Sequence, residues 1–121
     1  MAIYIVDKMV DGLTLLDIRG QITLGEETGI LREKTRALLE AGHARIIVDL
    51  GEVSYIDSAG LATLVTLYTS ARKHGGDVKL IHLTHRVRGL LQITRLSTVF
   101  EIFENLQEAQ QSFNNPAAPE P

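Results

Sequence analysis

Five residues, Ile46-Ile47-Val48-Asp49-Leu50, constrain this chain most. They are apolar with almost no alternation, the pattern of a strand covered on both faces. Shortly after them Leu61, Leu64, Val65 and Tyr68 recur at i, i+3, i+4 and i+7, the period of a helix with one buried side. A doubly covered strand feeding an amphipathic helix points to a layered α/β domain. The handover is Tyr55-Ile56-Asp57-Ser58-Ala59-Gly60, so an Asp-Ser pair stands where a helix begins.

The flanking sequence fills in the order. Ile3 to Val6 and Leu13 to Arg19 read as strands around an Asp11-Gly12 turn, a hairpin signal, with Gly20 closing the second. Gly25 to Ala41 reads as a helix with Ile30, Leu31, Ala37, Leu38 and Ala41 inward, stopped by Gly42. The helix after Asp57 runs to about His74, ahead of Gly75-Gly76. Val78 to Leu83 is a further strand. Thr84 is a cap for a short helix carrying Val87, Leu90, Leu91 and Thr94. Val99 to Phe103 is a last strand, and Asn105-Leu106-Gln107-Glu108 resembles a capping box opening a final helix with Leu106, Ala109, Gln110 and Phe113. The expected fold is α/β: a mixed sheet with an N-terminal hairpin, later strands largely parallel, and about four helices. Periodicity leaves open whether those helices share one face. Residues 1–113 form the expected domain. Residues 114–121, Pro-rich and without apolar period, form an expected disordered tail.

Composition narrows the chemistry. A length of 121 residues suits one domain with its own core. The net charge of −3 lacks the basic footprint of nucleic-acid binding. With no cysteine there are no disulfides or thiolate metal sites. No apolar run approaches the ~20 residues of a membrane span, and the N-terminus lacks the pattern of a signal peptide. The expectation is a cytoplasmic protein that needs no membrane, nucleic acid or cofactor.

A hydroxyl at a helix start can cap the helix, attack a substrate or accept a phosphate. The nucleophile elbow of hydrolases needs Gly two residues before its serine, and here Ile56 stands there, although Gly60 matches the second glycine. Neither phosphate-loop glycine pattern is present. His82 and His85 have no evident third metal ligand. Both Asp57 and Ser58 are good N-caps. If Asp57 caps, Ser58 falls at the first helical position with its hydroxyl free. The stripe of Leu61, Leu64, Val65 and Tyr68 reads as core, leaving Ala62, Thr63, Thr66, Thr69 and Ser70 as an exposed face of small polar residues. Gly60 permits either a close approach or a tight turn. Arg86, Arg88 and Arg95, with His85, form a local basic group.

The segment Asp57-Ser58-Ala59-Gly60-Leu61-Ala62-Thr63-Leu64, behind an Ile-Ile-Val-Asp-Leu strand, resembles the STAS domain, and within it the bacterial anti-sigma factor antagonists. The resemblance covers Ile3 to about Phe113. It implies a non-enzymatic switch. Ser58 matches the serine phosphorylated by a partner anti-sigma factor, itself a serine kinase. The unphosphorylated form binds that kinase and frees a sigma factor, and a PP2C-type phosphatase restores it. The implied partner surface is Asp57, Ser58, Ala59, Gly60, Ala62, Thr63 and Thr66. One departure stands out: the family often carries an acidic residue after the second strand, where this chain reads Gly20-Gln21-Ile22-Thr23. The other role open to such a domain is an unmodified scaffold or interaction subunit of a larger sensor or lipid-transport complex.

Overall fold

The computed structural model of the protein describes residues 2–114. Its elements are β1 (Ile3–Val10), β2 (Leu13–Ile22), α1 (Glu26–Glu40), β3 (Arg45–Ile56), α2 (Ser58–Lys73), β4 (Asp77–Ile81), α3 (His85–Ile93), a 3₁₀ turn (Leu96–Thr98), β5 (Glu101–Phe103) and α4 (Leu106–Asn114). The five strands lie in sequence order in one sheet. β1 pairs antiparallel with β2, and every later pairing is parallel. Asp11 and Gly12 both take positive φ in the hairpin turn, a conformation Gly adopts freely.

The alternation of each strand divides the helices between the two faces. Leu16, Ile18, Ile46, Val48, Val78 and Leu80 pack with Leu31 and Leu38 of α1, Leu64 and Leu67 of α2, and Val87 and Leu91 of α3. The opposite residues, Leu13, Leu15, Ile47 and Ile81, meet Ala109 and Phe113 of α4. β3 is thus covered on both sides, as its unbroken apolar run requires. Lys79, also on the α4 side, is buried. Its Nζ pairs with Glu101 at 2.8 Å, contacts Ser112 Oγ and lies 4.5 Å from the Phe113 ring centroid, so the buried charge is satisfied.

Several boundaries differ from expectation. β2 does not stop at Gly20. That residue bends through positive φ with the Ala2 carbonyl against it, and the strand continues to Ile22. β3 runs past Leu50 to Ile56, its register against β2 shifting once on each side of the Arg19–Gly20 pairs. β4 ends at Ile81, because His82 takes φ 58. The expected strand from Val99 shrinks to Glu101–Phe103, because Leu96–Thr98 form a 3₁₀ turn and Phe100 turns into the core against Tyr68. α1 buries Thr28, Leu31, Thr35, Leu38 and Leu39, while Ile30, Ala37 and Ala41 face outward. Asn114 closes α4 rather than opening a tail, and residues 115–121 lie outside the described residues.

Candidate functional site

β3 delivers the chain to the parallel-strand end of the sheet, where Asp57 leaves the strand in an extended conformation and caps α2. Its Oδ1 accepts the Gly60 N–H at 2.8 Å and its Oδ2 accepts the Leu24 N–H at 2.9 Å. One carboxylate therefore serves a helix start and ties down the loop after β2. These two amides, Leu24 first and then Gly60, hold the Asp57 carboxyl below the usual carboxylate range. The Asp57 N–H reaches the Ile22 carbonyl at 3.3 Å, a second stitch to the same loop.

Gly60 resolves in favour of close approach. It is buried, and a Cβ there would fall on the Ile22 carbonyl oxygen and the Ile56 Cγ2. The first turn of α2 thus sits on the end of β2, and only hydrogen fits between them.

With Asp57 as the cap, Ser58 is the first helical residue. Its side chain is exposed and its hydroxyl makes no hydrogen bond among the described residues. Ala59 is half-buried beside it, and Ala62 and Thr66 continue the exposed row one and two turns on. Thr63 departs from the expected exposed face: it is 7% exposed, and its hydroxyl donates to the Ala59 carbonyl at 2.9 Å. It faces α1, whose packing against α2 the helical period of α2 alone does not reveal. The reachable part of the anticipated surface is therefore Asp57, Ser58, Ala59, Ala62 and Thr66. Gly60 and Thr63 support it from within. Leu61 and Leu64 are core as the stripe predicts, with Val65 and Tyr68 half-buried at its edge.

Two grooves flank this row. One, of about 250 Å³, lies toward α1 and includes Leu24, Thr28, Arg32, Ala59 and Thr66. The other, of about 760 Å³, separates Tyr55, Asp57, Ser58 and Leu61 from His85, Arg86, Leu90 and Ile93 of α3. Leu24 is 76% exposed, Tyr55 44% and Ile93 82%, so large apolar groups ring the Ser58 turn. These three and Arg32 lie outside the surface expected from the sequence. Leu24 and Ile93 carried a signal, since each is a large apolar residue off the buried stripes. Of the basic group, Arg88 pairs with Glu104 at 3.6 Å and Arg95 adopts a left-handed conformation before the 3₁₀ turn. His82 contacts Asp49 at 3.2 Å rather than joining His85, and no group of three or more His, Asp or Glu side chains able to share a metal occurs among the described residues. No helix among the described residues is long and apolar enough to cross a membrane.

The family model of the STAS domain matches residues 4–109, nearly all of the described chain. The anti-sigma-B factor antagonist of Bacillus subtilis (strain 168) is 37% identical over 87 residues, 72% of this chain and 78% of that protein. The chain belongs to the STAS family, among the anti-sigma factor antagonists. STAS domains of this group are regulatory rather than enzymatic proteins. Solved structures share the fold. TM1081 of Thermotoga maritima aligns with a TM-score of 0.86 at 23% identity, covering 92% of this chain and 95% of that one. The Bacillus cell fate determinant SpoIIAA in its phosphorylated form aligns with a TM-score of 0.70 at 16% identity, covering 90% and 97%.

Proposed function

We propose that this STAS domain is the substrate and switch of a partner-switching pair in the cytoplasm. In its unphosphorylated form it docks on an anti-sigma factor that is also a serine kinase, through Ser58, Ala59, Ala62 and Thr66, and so frees a sigma factor. The kinase then phosphorylates Ser58, the complex dissociates, and a PP2C-type phosphatase resets the domain.

The observation that carries this reading is the division of labour at the helix start. Asp57 does the capping, so the Ser58 hydroxyl is exposed and unengaged. A row of small side chains, Ala59, Ala62 and Thr66, beside it allows a kinase to approach closely. SpoIIAA, of the same fold, has been solved in a phosphorylated form, which agrees with a phosphate on this scaffold. A phosphate adds about −1.5 to −2 charges next to the Asp57 carboxylate. A partner surface fitted to a neutral hydroxyl then meets repulsion and desolvation, and about 1.4 kcal/mol already lowers affinity tenfold.

The test is incubation with the cognate anti-sigma factor and ATP, followed by mass spectrometry. Phosphate at Ser58, absent from Ser58→Ala, is the expected result. No incorporation, with the complex nevertheless formed, assigns the chain to the scaffold role instead.

A further inference from the structure

The turn that presents Ser58 is poorly equipped to hold the phosphate it would receive. Asp57 accepts the Gly60 N–H in the first turn of α2 and the Leu24 N–H from the loop after β2, so a carboxylate already sits at this helix start. A dianion on the adjacent residue is repelled by that carboxylate and is better placed against a positive group outside this turn. Across the larger groove, α3 shows the reverse arrangement. Its first turn holds His85 and Arg86 and no acidic residue. Positive side chains are unfavourable at a helix N-terminus, which itself carries partial positive charge. Both side chains are exposed, and neither has a hydrogen-bond or ion-pair partner among the described residues. Ser58, His85 and Arg86 all line this one groove.

We propose that His85 and Arg86 receive the Ser58 phosphate, bridging the groove between α2 and α3 in the phosphorylated domain. This rests on Ser58 being the modified residue. Arg86 offers a planar, permanently charged donor set suited to phosphate oxygens, and His85 adds an imidazole N–H donor beside it. Among the described residues, the ionisable groups on this groove are Tyr55 from β3, Asp57 from the β3–α2 turn and His85 and Arg86 from α3. Arg32 of α1 lies in the other groove. The bridge has a functional consequence. It draws the phosphate over the apolar floor made by Leu61, Val87 and Leu90, so the modified domain closes the groove as well as charging its rim.

The experiment installs phosphoserine at position 58 during translation and follows its ³¹P resonance against pH in the parent, Arg86→Ala, His85→Ala/Arg86→Ala and Arg32→Ala proteins. Removing cations that contact the phosphate raises its second pKa, ordinarily about 6. The double variant is expected to titrate about half a unit or more above the parent, Arg86→Ala between them, and Arg32→Ala with the parent. A double variant that titrates with the parent overturns the proposal, and so does a shift caused by Arg32→Ala alone. The side chains are exposed and unpartnered, so these variants keep the fold. Because no kinase is used, failure of this titration and failure of the kinase assay are separate results.

Discussion

The starts of α2 and α3 meet the same physical need in opposite ways. At α3 the hydroxyl is the cap: Thr84 Oγ1 accepts the Val87 N–H at 3.2 Å. At α2 a carboxylate caps, and the hydroxyl that could have done so sits one residue on, exposed and unused. A hydroxyl that caps is held inside the helix start and is a poor substrate, whereas one relieved of that duty can be modified without unravelling the helix. The two turns also carry opposite charge, Asp57 at one and His85 with Arg86 at the other, across a shared groove. The contrast teaches that Ser58 owes its availability to Asp57.

Substitutions can break this contrast at several strengths. The largest effect belongs to Gly60→Ala, whose Cβ would drive the start of α2 off the Ile22 carbonyl. It should cost upward of about 2 kcal/mol in urea unfolding. A loss under half that would mean the close packing beneath Ser58 is soft. Asp57→Ala removes the cap and the tie to Leu24, and should lower the midpoint of thermal unfolding by about 4 °C or more near pH 7. The Asp57 carboxyl titrates below its usual value of 3.8 in the folded state, so its contribution is complete above that pH and is lost as pH falls further. The gap between Asp57→Ala and the parent should therefore close in strong acid, and a gap that stays constant through acid would show that the carboxylate is not the stabilising group. Thr84→Ala should cost about 1 kcal/mol, the usual worth of a capping hydroxyl. Ser58→Ala, the same deletion at the other helix, should change stability by less than about 0.5 kcal/mol. Equal losses for Thr84→Ala and Ser58→Ala would erase the distinction between the two starts.

Much of this was legible in the residues themselves. The run Ile46 to Leu50 announced a doubly covered strand, and the spacing of Leu61 and Leu64 announced the core side of α2. Asp57 and Ser58 were both visible as caps, and the geometry assigned the duty to Asp57. What stayed hidden depended on partners distant in sequence. Thr63 is polar, yet it is buried because α1 lies over it. Gly20 looked like a strand end, but β2 survives it through its bend against Ala2. The continuation of β3 through Gly51 and Glu52 depends on its pairing with β2, and no local apolar pattern marks it. The groove joining Ser58 to His85 and Arg86 exists because parallel strands bring the starts of α2 and α3 to the same end of the sheet. Spacing along the chain carries no trace of that.

The proposed switch requires that the charge on Ser58, and not a change of fold, decides whether a partner binds. The most direct measurement is calorimetric titration of the cognate anti-sigma factor with three forms of this protein: the parent, Ser58→Ala, and the protein carrying phosphoserine at position 58. The parent and Ser58→Ala are expected to bind alike, and the phosphorylated form at least about tenfold more weakly, a difference of about 1.4 kcal/mol. Equal affinity for all three would contradict it.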